Sequence, residues 1–216
     1  MTDTLTLAGL RREYTLAGLR RAELDPDPLA QFQKWFQQAQ AAKLPEPNAM
    51  TLATSDRQGH PSMRTVLLKD VGERGFVFFT NYDSRKGREL EWNPNAALHF
   101  FWPQLERQVS VVGTVARVSP EESAAYFKLR PKGSRLAAWV SNQSEPIPDR
   151  KLLETKLAAL MEKYPGDDVP VPPNWGGFCV TPHRIEFWQG RESRLHDRFE
   201  YMRLLDNSWQ IERLAP

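Results

Sequence analysis

Cysteine is almost absent from this chain of 216 residues, since Cys179 is the only one. A single cysteine excludes an internal disulfide and any metal site built from several cysteines, and it fits a reducing, cytoplasmic setting. Because it sits in the apolar run Phe178-Cys179-Val180, we expect Cys179 to pack as a small strand residue.

The sequence also lacks long apolar runs, a large charge excess and nucleotide-binding glycine motifs. No stretch approaches membrane-spanning length and no apolar secretory core stands at the N-terminus, so we expect no membrane partner. A net charge of +2 gives no reason to expect nucleic acid. Neither GxGxxG nor a Walker loop occurs, which argues against Rossmann and P-loop sites. The hydrophobic content of 40% suffices for one buried core.

Residues 1–24 contain a short duplication, in which the segment from Thr6 to Arg12 recurs from Thr15 to Arg21. Two copies of so short a unit do not define a repeat fold, and they predict a flexible N-terminal arm. The alternative is a flap in which Arg11 and Tyr14 close over an anionic ligand. Residues 25–216 are expected to form a single domain.

Helix signals and strand signals alternate irregularly through the rest of the chain. Helices are predicted from Asp27-Pro28, from Ser84 to Trp92, from the capping box at Ser119, and from Asp149 to Tyr164, with a break near Pro131. Such an order is typical of an α+β fold around an antiparallel β-barrel. The predicted strands cover residues 50–55, 62–69, 76–80, 96–102, 109–118, 178–181, 183–189, 194–205 and 209–214.

The stretch from Ile185 to Arg198 is the first candidate site. Gly190 is expected to permit a turn. If the second half is a strand, Arg194, His196 and Arg198 leave the same face, beside the broad side chain of Trp188. Histidine can move a proton near neutral pH. The alternative is a solvated surface in which the partners of these cations are Glu186, Glu192 and Asp197.

Further cations suggest sites for anions. Arg85 and Lys86 follow Ser84 at a predicted helix N-terminus, where acids are usual, which favours a bound phosphate. The alternative is that Glu89 and Glu91 absorb the charge. Arg64 and Lys69 are expected on opposite strand faces, either serving two anions or ending a solvated strand.

A second phosphate cup is predicted where Tyr126, Arg130 and Ser134 surround the bend at Pro131. The polar run 141–144 is either a loop or a hydrogen-bonding set for a heterocycle or a phosphate. Two anion sites suit a phosphorylated cofactor together with a phosphorylated substrate, although the residues do not select a flavin over another cofactor.

The stretch Ile185–Arg198 resembles the C-terminal signature of the pyridoxine (pyridoxamine) 5′-phosphate oxidases. The resemblance spans nearly the whole chain, from Arg11 to Pro216. Thr65 departs from it, since an aliphatic residue is expected there. Supporting matches are Arg64–Lys69, Ser84-Arg85-Lys86, Glu106–Val109, Ala138–Ser141, Gln143-Ser144 and Trp175-Gly176-Gly177.

The resemblance implies the FMN-binding split barrel, a homodimer with FMN at the interface, and oxidation of pyridoxine or pyridoxamine 5′-phosphate to pyridoxal 5′-phosphate with O2 reduced to H2O2. It implies Arg194 and His196 as catalytic residues. Two alternatives are a flavin reductase on the same barrel and a non-catalytic binder of pyridoxal phosphate or FMN. The implied substrate-binding residues are Arg11, Tyr14, Lys69, Tyr126, Arg130, Ser134, Arg194 and His196. The implied FMN-binding residues are Arg64, Thr65, Val66, Leu67, Leu68, Lys69, Phe79, Thr80, Arg85, Lys86, Gln108, Gln143, Ser144, Trp188 and Arg198.

Overall fold

A computed structural model describes residues 13–216. The chain divides into two compact units. The sheet unit consists of Asn48–His99 and Val111–His183. The terminal unit consists of Met1–Pro47, described from residue 13 onward, together with Phe100–Ser110 and Arg184–Pro216. Within residues 13–216, no helix combines the length and the apolar character that crossing a membrane requires.

Helices begin where the capping residues predict. The Asp27 side chain accepts a hydrogen bond from the N–H of Leu29, and Ser84 and Ser119 cap the N-termini of two later helices. The predicted break at Pro131 is confirmed, because one helix ends before it and another begins after it. The helices of the described chain are α1 (Pro28–Ala41), α2 (Arg85–Trp92), α3 (Pro120–Leu129), α4 (Lys132–Val140) and α5 (Lys151–Lys163).

The strands follow the predicted ones closely, apart from shifts of up to three residues at their ends and two larger differences. The segments 178–181 and 183–189 are one long strand, and a short strand not predicted precedes residue 75. The strands of the described chain are β1 (Ala49–Ser55), β2 (Pro61–Leu67), β3 (Asp70–Gly72), β4 (Gly75–Asn81), β5 (Asn95–Trp102), β6 (Arg107–Arg117), β7 (Trp175–Gln189), β8 (Asp197–Arg203) and β9 (Trp209–Leu214).

In the sheet unit the strand order is β2-β1-β5-β6-β7-β4-β3. The β1–β2 hairpin turns at Asp56, whose carboxylate accepts the N–H groups of Gln58 and His60. Strand β4 pairs antiparallel with β7, and its residues are buried except for the half-buried Phe79. Burial of a phenylalanine such as Phe78 contributes about 2 kcal/mol, so β4 anchors this unit. The predicted α+β class with an antiparallel sheet is confirmed.

In the terminal unit, β8 pairs antiparallel with the end of β7 and with β9. The core is aromatic, as the spacing in α1 predicts: the Trp35 ring lies edge-on to Phe187 at 5.2 Å, and Phe32 is fully buried. Leu19 and Leu24 are also buried. The interpretation of residues 1–24 as a flexible arm, and of 25–216 as a single domain, remains a prediction.

Candidate active site

A cavity of about 870 Å³ lies in the sheet unit, a size suited to a small organic ligand. Strands β2 and β4 and helices α3 and α4 supply its walls. The cavity brings together most of the predicted site residues of this unit, namely Arg64, Thr65, Val66, Leu67, Lys69, Phe79, Thr80, Lys86, Tyr126, Arg130, Ser134 and Gln143.

Lys86, in the first turn of α2, is a buried cation on the wall of this cavity. Its ammonium group donates to the side-chain oxygen of Gln143 at 2.7 Å and to Thr80 at 3.3 Å. Burial and the nearby charge of Arg64 lower the pKa of Lys86 to about 8, while Glu89 acts in the opposite direction. Lys86 is therefore a cation that a phosphate would stabilise.

Glu89, one turn further along α2, is only 2% exposed. Its carboxylate accepts hydrogen bonds from Ser62 at 2.6 Å, Arg85 at 2.9 Å and Arg64 at 3.2 Å, and a further one from Thr54. Burial alone would raise the pKa of Glu89, but these four donors lower it to about 2. The carboxylate is ionised at every pH at which the protein is expected to work.

The alternative that Glu89 and Glu91 absorb the charge at this helix start holds in part. Arg85 pairs with Glu89 at 2.9 Å, but Glu91 pairs with Arg117 at 2.8 Å instead. Within residues 13–216, no carboxylate forms an ion pair with Lys86. The helix start thus retains a cation without an ion-pair partner at the positive end of the helix dipole, an arrangement suited to an anion, although the N–H groups of Arg85 and Gly87 already donate to Ser144 and Ser84.

Aromatic rings stack along another wall. The ring of Phe79 lies 4.0 Å from that of Tyr126 and 5.4 Å from that of Trp175, with interplanar angles of 20° and 11°. The ammonium nitrogen of Lys69 lies 5.9 Å from the Tyr126 ring centre. Stacking of this kind fixes the orientation of Tyr126, whose hydroxyl was predicted to bind a phosphate.

Arg130 lies at the end of α3 with its guanidinium carbon 4.9 Å from the ring centre of Trp175 and 5.6 Å from that of Phe127. Its Nη1 is buried and has no hydrogen-bond partner within residues 13–216. Burial lowers the pKa of Arg130. A buried donor without an acceptor is costly, so a cationic donor of this kind on a cavity wall indicates a site for an anionic ligand.

The expectation that Arg64 and Lys69 lie on opposite faces and need not share a ligand is wrong, because both line the same cavity. Strand β2 ends at Leu67, so strand alternation does not extend to Lys69. Leu68 is 6% exposed and its N–H donates to Asn48, which makes it a core residue rather than a wall residue.

Arg85 and Ser144 meet beside the cavity. The backbone N–H of Arg85 donates to the hydroxyl of Ser144 at 3.1 Å, and Ser144 has a φ of 77°. The polar run 141–144 is thus a loop whose side chains form hydrogen bonds, with Gln143 holding Lys86. The loop interpretation of this run is confirmed, whereas its binding of a heterocycle or a phosphate stays a prediction.

The terminal unit contains a cluster of three rings. Trp188 lies 4.5 Å from His196, and Tyr14 stands edge-on to both, at 5.7 Å and 5.8 Å respectively. The backbone N–H of Arg191 donates to Nδ1 of His196 at 3.1 Å. The neutral imidazole therefore carries its proton on Nε2. Burial and the charge of Arg194 lower the pKa of His196, which favours this neutral form.

The prediction of a strand beginning at residue 194 is wrong, and so is the shared face of the three cations. Ser193 and Arg194 have φ values of 52° and 61° within a short 3₁₀ turn, and β8 begins only at Asp197. Arg198 forms a two-pronged ion pair with Glu186, with both N–O distances at 2.9 Å. For Arg198, the alternative of a solvated surface with Glu186 as its partner therefore holds.

Glycine is needed at position 190 for a different reason from the one expected. Its φ is not positive. A side chain here would place its Cβ 2.8 Å from the Tyr14 ring, so glycine is required by close approach.

Gln108 lies half-buried in β6 of the terminal unit. Arg11 lies outside the described residues.

Several residues of the cavity were not predicted as site residues. The guanidinium of Arg130 lies over the ring of Trp175. The motif Trp175-Gly176-Gly177 was the sequence signal that could have identified Trp175 as a site residue. Asn81 donates to the backbone oxygen of Ser141 at 3.4 Å, and nothing in the sequence around it indicates this role. The buried position of Glu89 also depends on contacts between distant segments.

An α+β fold with an antiparallel sheet, and a cavity walled by cations and stacked rings, defines a class of protein suited to binding small anionic molecules. Residues 36–164 match the family profile described as pyridoxamine 5′-phosphate oxidase, and residues 175–216 match the pyridoxine 5′-phosphate oxidase C-terminal dimerisation region. The chain belongs to the pyridoxamine 5′-phosphate oxidase family.

Two bacterial relatives have names that agree with this family. The chain is 59% identical over 211 residues to the pyridoxine/pyridoxamine 5′-phosphate oxidase of Nostoc sp. strain PCC 7120, covering 98% of this chain and 99% of that protein. It is 59% identical over 210 residues to that of Rubrobacter xylanophilus, covering 97% and 96% respectively.

Two solved structures share the fold. PhzG from Burkholderia lata 383, in complex with tetrahydrophenazine-1-carboxylic acid, aligns with a TM-score of 0.89 at 28% identity, covering 95% of this chain and all of that one. A pyridoxamine 5′-phosphate oxidase-related, FMN-binding protein from Nostoc punctiforme aligns with a TM-score of 0.72 at 18% identity over 89% of this chain and 100% of that chain, and it bears on the fold alone.

Family membership makes the chain an oxidoreductase, a vitamin B6 phosphate oxidase that acts on a small molecule. It also supports a flavin cofactor and, through the matched dimerisation region, a homodimer. The expected FMN-binding split-barrel class is confirmed by the same match.

Proposed function

We propose that the chain oxidises pyridoxine 5′-phosphate or pyridoxamine 5′-phosphate to pyridoxal 5′-phosphate, with FMN as cofactor and O2 as the final electron acceptor. The observation that carries the proposal is one cavity lined by cations on separate elements, the buried Lys86 on α2 and, at the end of α3, Arg130 with its buried Nη1. Two phosphate-bearing molecules that react with each other need two such anion sites.

The FMN phosphate is assigned to the start of α2. Lys86 has no carboxylate partner in the described chain, Arg85 offers the amino groups that Glu89 does not occupy, and α2 presents its N-terminal dipole. The remaining FMN contacts are assigned to Arg64, Thr65, Val66, Leu67, Lys69, Phe79, Thr80, Gln108, Gln143, Ser144, Trp188 and Arg198.

The substrate phosphate is assigned to Lys69, Tyr126, Arg130 and Ser134. The buried Nη1 of Arg130 supports this assignment, because a phosphate oxygen would supply the acceptor that it lacks within residues 13–216. Tyr126 is held by its stack on Phe79, and Ser134 lies in the first turn of α4. The dipole of that helix start adds to the attraction.

Arg194 and His196 are assigned to the substrate ring. When bound, FMN would accept the hydride that leaves C4′ while the substrate hydroxyl or amino group gives up a proton, and O2 would take up the two electrons and two protons as H2O2. With pyridoxamine 5′-phosphate, water would then release the nitrogen as ammonia. His196 contributes an Nε2–H donor, because Nδ1 is occupied by the N–H of Arg191. This donor would orient the pyridine ring through one of its polar substituents.

The assembly and the N-terminal segment complete the proposal. FMN is expected at the interface of a homodimer and in contact with both chains. Tyr14, already packed against Trp188 and His196, would close over the substrate together with Arg11. A cytoplasmic location remains a prediction.

Oxygen uptake tests the proposal. Protein supplied with FMN should consume O2 and release H2O2 with pyridoxine 5′-phosphate, and far more slowly with pyridoxine, which lacks the phosphate that Arg130 would bind. Uptake with NADH but not with the vitamin phosphate would favour a flavin reductase. Tight binding of pyridoxal 5′-phosphate without any O2 uptake would favour a non-catalytic carrier.

A further inference from the structure

Glu89 is buried directly behind the cations of the cavity, with 2% of its surface exposed. A carboxylate at this place opposes the binding of a phosphate, because like charges repel. Its four hydrogen bonds keep it ionised. A buried anion beside a site for anions therefore needs a separate explanation.

The contacts of Glu89 supply one. Oε1 accepts from Nε of Arg85 at 2.9 Å, and Oε2 accepts from Nη2 of Arg64 at 3.2 Å and from Ser62 at 2.6 Å. A single carboxylate thus connects helix α2 to strand β2 and holds two arginines at once. Thr54 on β1 adds a further donor.

Nearly every N–H donor of the Arg64 guanidinium has a protein acceptor. Its Nη1 donates to the backbone oxygen of Leu52 and to Thr54, and its Nη2 donates to Ser62 and Glu89. Within residues 13–216, Nε–H is the donor of Arg64 left without a protein acceptor. The guanidinium therefore has a fixed orientation and keeps this donor for a ligand of the cavity that it lines.

Glu89 also acts on the charge of its neighbours. Arg64 and Arg85 repel each other, and Arg64 lowers the pKa of Lys86, whereas Glu89 raises it. The charged groups that act on Lys86 are Arg64 from β2 and Glu89 from α2; its contacts from β4 and the 141–144 loop, Thr80 and Gln143, are uncharged. Without the carboxylate, Lys86 would lose its proton at a lower pH.

We propose that Glu89 is a positioning residue for the phosphate of FMN: it orients Arg64 and Arg85 and supplies the counter-charge that lets three cations share one site. The carboxylate does not touch the ligand and acts through the arginines. This inference rests on the proposed function, because FMN is the ligand that it names.

The test is a titration of apoprotein with FMN, followed by flavin fluorescence, from about pH 6 to about pH 10. Glu89→Gln should weaken binding about tenfold or more, and the alkaline loss of affinity should begin at a lower pH than in the unaltered protein. Glu91→Gln is the matched control on the same helix, because Glu91 pairs with the exposed Arg117, and it should leave both quantities unchanged.

Glu89→Asp separates the orientation of the arginines from the supply of counter-charge. It remains informative if Glu89→Gln fails to fold. It keeps the charge, so the alkaline midpoint should match the unaltered protein, but its shorter reach should weaken FMN binding. Circular dichroism of each apoprotein establishes folding.

Two results would overturn the inference. One is a folded Glu89→Gln protein with the affinity and alkaline midpoint of Glu91→Gln, and the other is full affinity in Glu89→Asp. Unaltered protein that binds no FMN would reject the proposed cofactor as well, whereas tight binding by the unaltered protein and by both Glu89 variants would reject the positioning role alone.

Discussion

Arg130 combines two properties that oppose each other during folding. Its guanidinium rests on the rings of Trp175 and Phe127, which stabilises the cation, but its Nη1 is buried without an acceptor within residues 13–216. A residue kept at such a cost is typical of a binding site, because the ligand completes the hydrogen bonds that the fold leaves open.

Replacing Arg130 with methionine should raise KM for pyridoxine 5′-phosphate about tenfold or more, because one charged hydrogen bond is worth about 1.5–3 kcal/mol. Stability of the apoprotein should change by less than about 1 kcal/mol, since an unpaired buried donor is removed. Lys128→Met, at an exposed position of α3, is the control. Steady-state kinetics and urea unfolding measure both effects, and an unchanged KM would contradict the assignment.

Glu89 should make the stability of the fold decline in acid. Its folded pKa of about 2 lies below the usual 4.5, so its stabilisation is complete above pH 4.5 and is lost as the pH falls through about 2. The shift corresponds to about 3 kcal/mol. Urea unfolding as a function of pH should show a shallower acid decline in Glu89→Gln than in Glu91→Gln, and equal slopes would contradict this prediction.

The neutral imidazole of His196 should be the active form. Its pKa is lowered by burial and by Arg194, so turnover should fall only when the pH drops below the usual histidine range. His196→Gln, which can place an amide N–H near the former Nε2, should retain more turnover than His196→Ala, and FMN affinity should change little in both. Equal turnover in the two variants would contradict the donor role.

Residue chemistry alone suggested Arg64, Lys86 and Arg130 as cations for anionic ligands, whereas the other predicted wall residues, such as Thr65, Phe79 and Thr80, came only from the family resemblance. It could not find Asn81 or Trp175 as wall residues, since their roles depend on contacts with segments distant in sequence. It also could not determine that Arg198 pairs with Glu186, because the pair joins facing positions on β7 and β8.

At the scale of elements, α2 connects the fold to the proposed cofactor. Ser84 caps the helix by accepting from the N–H of Gly87, and its hydroxyl donates to the backbone oxygen of Asn81 at 2.7 Å. Gly87 is required here, because a Cβ would lie 2.0 Å from the backbone oxygen of Tyr82. The first turn is therefore held closely against the end of β4.

Ser84→Ala should destabilise the protein by about 1 kcal/mol and weaken FMN binding, because the cap holds the first turn of α2, which carries Arg85 and Lys86. Ser119→Ala removes the equivalent cap from α3 and is the matched control: it should cost about as much stability and leave FMN affinity unchanged. Thermal melts measure the loss of stability, and FMN titration measures the loss of FMN affinity. Equal losses of FMN affinity would show that general destabilisation explains the effect.

Elements with clear local signals could be predicted from the sequence. Proline, serine and aspartate at the helix starts set the bounds of α1, α2 and α3, and apolar runs set β1, β4 and β5. The start of β8 was misplaced because Ser193 and Arg194 adopt left-handed backbone angles, which neither residue type favours. The strand β7, predicted as two segments, runs without interruption through Pro182.

At the scale of the whole molecule, the matched dimerisation region at 175–216 predicts a particle of twice the chain mass of 24.9 kDa. If FMN lies at the interface, the dimer should bind two FMN and dilution to monomers should release them. Analytical ultracentrifugation that follows protein and flavin absorbance together measures this. Monomers that retain FMN would contradict the interface site.

The visible absorption spectrum of the purified protein tests the central claim most directly. The account predicts a yellow protein whose flavin band is lost when pyridoxine 5′-phosphate is added without oxygen, and returns when air is admitted. A colourless protein that takes up no FMN, or a yellow protein whose spectrum the vitamin phosphate leaves unchanged, would contradict it.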